Sequence, residues 1–258
     1  MALTETRPTD STAELPPDHA PGDREMTMLE HLDELRRRLV GVVLSIVVGL
    51  LVAIIPIPAV GSIVDNVMRL LTARVPGGQL NCFGPGECFF VYLQVALTVG
   101  ASLAMPMIVY QLLAFVTPAL YDNEKKYLFL AVPGVTFAFA AGVAFCYFVM
   151  LPVAIAFLSG FQPEIFNQIW GAERFVDFVV TFLFWVGVTF ELPIVMYFLT
   201  KLNVVSPQRL SSFRKYAFVM AFVIGAIITP TPDPLSQTIV SVPIYLLFEL
   251  GVIMARFA

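Results

Sequence analysis

The hydrophobic positions of this chain form six long runs that short polar segments separate. Ahead of the first run, Thr27 and Glu30 have the spacing of a capping box, and apolar residues follow at intervals of four, three and four. This pattern predicts an amphipathic helix that begins at Thr27 and continues into the first run. The six predicted spans lie near residues 39–57, 89–115, 127–157, 175–199, 216–228 and 239–257.

The length of these runs predicts helices that cross a lipid bilayer. About 20 apolar residues span the hydrocarbon core as a helix, whereas an outer-membrane barrel requires ten-residue segments of alternating polarity, which are missing. The last two runs are shorter, and a helix of about 15 residues reaches only about 22 Å of a core roughly 30 Å thick. We therefore expect an all-α integral membrane protein whose last two spans need a thinner bilayer or cover from a partner.

The composition favours a membrane domain preceded by a polar tail. Of the 258 residues, 58% are hydrophobic and 13% are charged, which is too apolar for a soluble core with a wetted surface. Residues 1–26 are rich in Pro, Thr and acids and predict a disordered acidic cytoplasmic tail, which leaves 27–258 as the membrane domain. Lys and Arg form no long patch interleaved with aromatics, so nucleic acid is excluded as a partner.

The distribution of basic residues predicts the orientation of the chain. With six spans, one side of the membrane carries twelve of the 15 Lys and Arg residues, and the other side carries only Arg69, Arg74 and Arg174. The positive-inside rule then places both termini in the cytoplasm and the chain in the cytoplasmic (inner) membrane. The proline-rich and charged positions of the first three spans do not recur in the last three, which disfavours an inverted-repeat transporter.

One acid, Glu191, lies inside an apolar run and is followed two residues later by Pro193. A carboxylate is costly in hydrocarbon, so this acid is either protonated or faces a polar partner or a watery cavity. The ordinary explanation is that Pro193 frees a backbone group and Glu191 satisfies it. The cost of an intramembrane acid favours a functional role over this structural one.

Two further acids, Glu34 and Glu124, are predicted on the cytoplasmic side. Two carboxylates on one face can each hold a guanidinium group, which forms bidentate pairs with them. From spacing alone the ordinary explanation is favoured, because Glu34 stands four residues before Arg38 and Glu124 precedes Lys125 and Lys126.

Cys82 and Cys88 lie in the external loop that follows the first span, and their spacing permits a disulfide in an oxidising compartment. No His lies near them, so a metal site is not predicted. Cys146 falls in the third span and is expected to be a small buried hydrophobe. The chain has no His-Glu-x-x-His, Gly-x-Ser-x-Gly or Walker motif, and it predicts neither an enzyme nor a cofactor.

Short motifs from about Thr27 onward occur in an order and spacing that match one known family. They include Glu34-Leu35-Arg36, Tyr110-Gln111, Pro118-Ala119-Leu120-Tyr121, Phe190-Glu191-Leu192-Pro193, Pro232-Asp233 and Phe248-Glu249-Leu250-Gly251. With them the chain resembles TatC, the polytopic subunit of the twin-arginine protein translocase, over nearly its whole length.

The resemblance implies a concave, glove-like bundle of six helices that acts as a receptor and not as an enzyme. TatC proteins recognise the twin-arginine signal peptides of folded cargo at their cytoplasmic face. They assemble with single-span TatA/TatB-type subunits into an oligomeric complex, and the protonmotive force drives export. The same role is expected of this chain.

The resemblance also assigns roles to individual residues. By matching motif, the signal-peptide site would consist of Glu34, Glu124, Arg36 and Phe115. Glu191 would be the intramembrane glutamate, on a concave and partly hydrated surface where it meets polar groups of a partner helix. Asp233 would stabilise the external cap that follows the fifth span.

Some features depart from the family pattern. The acidic tail and the Cys82/Cys88 pair are not general features of TatC proteins, and the additional Thr231 loosens the match around Asp233. The alternative function is a proton-coupled secondary transporter with Glu191 as its relay. Such a transporter would show a small-molecule cavity and a second functional acid or partner in the membrane.

Overall fold

The computed structural model describes residues 28–58, 60–75, 78–116, 125–160, 169–229 and 234–258. The predicted tail and Thr27 lie outside these residues. Over the described ranges the chain is helical, with one π-helical segment at Cys146–Met150. The α-helices are α1 (Met28–Ile54), α2 (Ile63–Thr72), α3 (Glu87–Val116), α4 (Lys125–Phe145), α5 (Leu151–Ser159), α6 (Ala172–Phe190), α7 (Leu192–Lys201), α8 (Pro207–Ser212), α9 (Arg214–Ile228) and α10 (Pro234–Ala255).

Five helical stretches of the described chain are long and apolar enough to cross a membrane. They are Glu30–Ile54, Glu87–Phe115, Val132–Ser159, Ala172–Lys201 and Gln237–Ala255. The remaining predicted span corresponds to α9, whose 15 residues cover only about 22 Å. The prediction of an all-α membrane protein is confirmed. The fifth span is short, as expected, whereas the expected shortness of the sixth span is wrong, because α10 has 22 residues and is long enough to cross.

α1 packs along α3 through a pair of glycines. A Cβ atom on Gly49 would collide with the carbonyl oxygen of Gly100, and a Cβ atom on Gly100 would lie 2.6 Å from the backbone nitrogen of Leu50. Only residues without a side chain permit this approach of two helices. The outer face of α1 is apolar and exposed, as a lipid-facing surface requires, at Val40, Val43, Leu44, Val47 and Leu51.

The third predicted span is not one regular helix, because Pro152 interrupts its hydrogen bonds. Proline has no N–H group to donate to the carbonyl four residues earlier. The helix widens before it, so that the N–H group of Leu151 bonds to the carbonyl of Cys146, five residues back. Periodicity predicts the length of this span but not the π-helical segment.

The fourth predicted span is likewise divided, with a turn at Glu191 between α6 and α7. Pro193 is the second residue of α7, where the missing N–H group is tolerated. The N–H group of Glu191 bonds to the carbonyl of Val188 at 3.1 Å, and its carbonyl accepts from Val195 at 2.9 Å. The turn thus fixes Glu191 at a break in the span.

The loop predicted between the first two spans contains a helix, α2. Ser62 and Asp65 form a reciprocal capping box at its start, with bonds of 3.0 Å and 3.3 Å. Hydrogen bonding by the Ser62 side chain and backbone holds the pKa of Asp65 below its ordinary value. The sequence pattern did not predict α2, because the helix has only ten residues and turn residues follow it.

The core of the bundle is centred on α6. Phe182, Val176 and Val179 of this helix are fully buried. At the other end of the chain, α9 packs against α10, where the Gln237 side chain donates to the carbonyl of Phe222 at 2.9 Å. A Cβ atom on Gly225 would collide with the hydroxyl of Ser241, so glycine lets these two helices meet.

Candidate functional site

Glu34 belongs to a polar cluster between α1 and the C-terminal part of α3. Its Oε1 atom accepts a hydrogen bond from Nη2 of Arg38 at 3.2 Å. Nη1 of the same Arg38 donates to Oε1 of Gln111 at 3.0 Å. Gly41 leaves room for the amide, because a Cβ atom there would lie 2.9 Å from Nε2 of Gln111. The guanidinium therefore joins the two helices.

The second carboxylate oxygen of Glu34 is an unused acceptor. Its Oε2 atom is buried and accepts no hydrogen bond within the described part of the chain, and the side chain is only 10% exposed. An acceptor left in this state costs about 1–3 kcal/mol, which a new donor can recover. The pair with Arg38 expected from the spacing therefore accounts for one oxygen of the carboxylate and leaves the other available.

An aromatic pair borders this cluster. The rings of His31 and Phe115 are stacked, with centroids 4.7 Å apart and an interplanar angle of 24°. His31 precedes Glu34 by three residues and Phe115 follows Gln111 by four, so both rings share the helix faces of the polar cluster. The stack with His31 places Phe115 beside this cluster. The spacing along α1 is the signal that groups His31 and Arg38 with Glu34, whereas Gln111 reaches them only through the packing of α3 on α1.

Arg36 does not lie in this cluster. Two residues along a helix turn the side chain by roughly 200°, which directs Arg36 away from Glu34. It is exposed on the outer face of α1, beside Leu35 and Leu39. Arg36 was expected to shape the same surface as Glu34, but the two side chains point to different faces of α1.

Two expected site residues, Glu124 and Asp233, lie outside the described residues. The nearest described residues on either side are Val116 and Lys125 for Glu124, and Thr229 and Pro234 for Asp233. Thr229 donates its hydroxyl to the carbonyl of Gly225 at 2.9 Å and so closes the end of α9.

Glu191 is buried at the break between α6 and α7, with 3% of its surface exposed. Among the described residues, its Oε1 atom has no hydrogen-bond partner. This oxygen is therefore not the one that would satisfy a backbone group freed by Pro193. A partly hydrated surface was expected around Glu191, whereas its side chain is enclosed in this structure.

Other polar pairs join the membrane helices. Nε2 of Gln94 on α3 donates to Oδ1 of Asp177 on α6 at 2.7 Å. Glu249 on α10 pairs with Arg214 on α9 at 2.9 Å and accepts from Tyr245 at 2.8 Å. Asp177 was not predicted as a site residue, although it carries the signal that identified Glu191, an acid within an apolar run.

The Cys82 and Cys88 side chains are joined by a disulfide, with Cα atoms 5.9 Å apart. Glu87 lies inside the ring that this bond closes. Its Oε2 atom accepts from the N–H groups of Phe83 at 2.6 Å and Gly84 at 2.9 Å. Its Oε1 atom accepts from the N–H group of Glu173 at 3.3 Å, which attaches the ring to the start of α6.

The Glu34 cluster offers one acceptor, Oε2, to a further hydrogen-bond donor. Within the described ranges, no three His, Cys, Asp or Glu residues are grouped so as to hold a metal ion. A carboxylate with one free oxygen, next to an aromatic pair, suits a planar guanidinium group.

Comparisons with known proteins agree with this description. The family model of the Sec-independent protein translocase protein TatC matches residues 30–243. The TatC of Carboxydothermus hydrogenoformans is 32% identical, over 91% of this chain and 95% of its own length. The TatC of Aquifex aeolicus is 35% identical, over 90% of this chain and 96% of its own length.

A solved structure has the same fold. The crystal structure of a twin-arginine translocase receptor, TatC, superposes with a TM-score of 0.74 at 34% identity, over 88% of this chain and 99% of its own. The same receptor in DDM gives a TM-score of 0.76. These likenesses cover nearly all of both chains. The chain therefore belongs to the TatC family of Sec-independent protein translocase proteins, which are transport components and not enzymes.

Proposed function

We propose that this chain binds the twin-arginine signal peptides of folded cargo at its cytoplasmic face, with Glu34 as one of two acidic contacts. Membership of the TatC family makes the chain the receptor component of a Tat translocase complex. The single observation that carries the proposal for Glu34 is its buried Oε2 atom, which lacks a donor.

An incoming arginine supplies the donor that Glu34 lacks. Arg38 already neutralises the carboxylate through Oε1 and is itself held by Gln111. The carboxylate is therefore fixed in orientation. Because Oε2 is buried, neighbouring side chains have to move aside before a signal-peptide guanidinium can bond to it. Charge-assisted bonds of this type contribute about 1.5–3 kcal/mol each.

Arginine is preferred to lysine at such a site for geometric reasons. A guanidinium presents its donors in a planar fork and stacks on aromatic rings, whereas an ammonium group does neither as well. The His31–Phe115 stack offers an aromatic surface beside Glu34. Glu124 is proposed as the second carboxylate by its matching motif.

The orientation of the chain is part of the proposal. Twelve basic residues against three favour both termini, and with them the Glu34 cluster, on the cytoplasmic side of the inner membrane. A signal peptide on newly made cargo meets this side first. A C-terminal reporter that is active only in the cytoplasm tests the orientation, and activity of a periplasm-specific reporter at the same position would contradict it.

Contact with single-span TatA/TatB-type subunits is proposed for Glu191. A buried carboxyl group with an oxygen that lacks a hydrogen bond can accept one from a polar side chain of a partner helix. Because Glu191 is enclosed, a partner has to enter at the break between α6 and α7. Glu191→Gln should weaken co-purification of such subunits while leaving signal-peptide affinity unchanged.

The experiment for the central proposal is binding of a twin-arginine peptide and a twin-lysine peptide to the detergent-solubilised full chain. Glu34→Gln and Glu124→Gln should each weaken twin-arginine binding by about tenfold or more, the loss of one charge-assisted bond. Asp33→Asn, which alters an exposed acid of the same helix, is the matched control and should bind as the unaltered chain does. Equal affinity of both peptides for all four proteins would contradict the proposal.

A further inference from the structure

Arg74, which follows α2, is held against two aromatic rings. Its guanidinium carbon lies 4.3 Å from the ring centroid of Tyr147 and 5.9 Å from that of Phe148. The Tyr147 hydroxyl donates to the carbonyl of Leu70 at 3.1 Å, which fixes the ring on α2. Within the described ranges no carboxylate forms a salt bridge with Arg74. Its charge is therefore positioned but not neutralised.

An open groove begins at the same two aromatic residues. It has a volume of about 550 Å³ and runs between α2, α3, α4 and α6. Its mouth is apolar and open to the surroundings, because three of its lining residues are well exposed, namely Leu70, Leu103 and Phe148. The size lies within the range of about 300–1,000 Å³ that is typical of small-ligand sites.

The interior of the groove offers almost no free polar group. Four hydroxyls line it, and each is already used as a donor. Thr98, Ser102 and Thr136 donate to carbonyls of their own helices, and the Tyr147 hydroxyl donates to the carbonyl of Leu70. A polar solute would lose its hydration there without replacement bonds. Hydrocarbon is the chemistry that this lining favours.

We propose that the groove binds one phospholipid, with an acyl chain between the helices and its phosphate on Arg74. Arg is the side chain that can stack on an aromatic ring and bind a phosphate at the same time. Tyr and Arg residues are also typical of the level at which lipid headgroups meet the hydrocarbon core. The joint presence of a positioned cation and an apolar groove matches the two parts of a phospholipid.

The charge of Arg74 favours a lipid over a protein helix as the occupant. A partner helix would need an acidic side chain at the level of this guanidinium, whereas a phospholipid carries its phosphate next to its acyl chains. This site is separate from the Glu34 cluster and does not depend on signal-peptide binding.

Native mass spectrometry of the purified full chain with added dioleoyl phosphatidylglycerol tests the proposal. Arg74→Gln should weaken the lipid adduct by about tenfold, the loss of a charge-assisted bond. Thr136→Trp, which fills the groove, should weaken it at least as much. Arg69→Gln, an exposed arginine of α2, is the matched control and should bind as the unaltered chain does. Helical content measured by circular dichroism identifies variants that have not folded.

Two results would overturn the assignment. If Arg74→Gln and the unaltered chain formed the lipid adduct to the same extent, Arg74 would not bind the phosphate. Equal binding of a neutral alkyl glycoside and the phospholipid would show that the groove takes any apolar chain, without recognition of the headgroup. Weaker binding in Arg74→Gln and Thr136→Trp, with Arg69→Gln unaffected, supports it.

Discussion

Arg38 contacts one carboxylate oxygen of Glu34 at 3.2 Å and leaves the other, Oε2, buried without a hydrogen bond. The exposed fractions of the Arg38 and Glu34 side chains are 25% and 10%, so water replaces little of the missing hydrogen bonding. Arg38 stabilises the carboxylate in this environment. Under the proposed function the same carboxylate also accepts a signal-peptide guanidinium, so the pair would serve both the structure of the cluster and its binding.

Removal of Arg38 separates these two roles. Arg38→Gln leaves Glu34 without its charge partner, and we expect about 1–3 kcal/mol less stability in the absence of peptide. A twin-arginine peptide replaces the missing charge, so its stabilising effect should exceed that on the unaltered chain. Thermal unfolding with and without saturating peptide measures both quantities. Arg37→Gln, an exposed neighbour, is the control, and an equal peptide effect in all three proteins would contradict the account.

The glycine contact between α1 and α3 predicts a stability effect. Gly49→Ala places a methyl group against the backbone of Gly100, and we expect a loss of about 1–3 kcal/mol through separation of the helices. Gly134→Ala is the matched control, because its methyl group would lie 3.7 Å from Ile194, an ordinary contact. Unfolding midpoints in detergent compare the two. A midpoint of Gly49→Ala equal to that of Gly134→Ala would refute this view of the packing.

The external disulfide predicts a redox-dependent stability. Closing a ring over a sequence separation of six restricts the unfolded chain by about 2 kcal/mol. Cys82→Ser combined with Cys88→Ser should therefore lower the unfolding midpoint, and a reducing agent should do the same to the unaltered chain. Cys146→Ala should retain the response to the reducing agent, since this cysteine is free. If the variant without Cys82 and Cys88 still responded to the reducing agent, a group other than this disulfide would be the cause.

The capping box of α2 predicts a pH dependence. The folded pKa of Asp65 lies below its unfolded value of roughly 4 because Ser62 bonds to the carboxylate. The contribution of ionised Asp65 to stability is complete above the unfolded pKa and is lost as the pH falls through the folded pKa. Amide hydrogen exchange in α2 should therefore accelerate below pH 4 beyond the intrinsic rate. Asp65→Asn should abolish this acceleration, and its persistence would exclude Asp65 as the cause.

The sequence predicted the features that depend on hydrophobic period and length. The positions of the spans and the start of α1 near Thr27 follow from apolar repeats, which the bilayer enforces along the whole chain. The break at Glu191 and the π-helical segment before Pro152 depend on single hydrogen bonds that proline removes. Periodicity averages over such positions, so it describes the span and omits the interruption.

The candidate site was predictable only in part, for a related reason. The pairing of Glu34 with Arg38 follows from their separation of four residues. Gln111 and Phe115 reach this pair because α1 and α3 pack closely, which is tertiary information that no local pattern contains. The turn of the helix itself separates Arg36 from Glu34, because residues two apart on α1 point in directions roughly 200° apart.

The most direct test of the central claim is a double-mutant cycle between Glu34 and the first arginine of a signal peptide. Affinities are measured for the unaltered chain and Glu34→Gln, each with the twin-arginine peptide and with a peptide carrying glutamine at that arginine. The account predicts a coupling free energy above about 1 kcal/mol, as expected for groups in direct contact. Additive effects, with a coupling below about 0.5 kcal/mol, would show that Glu34 does not bind this arginine.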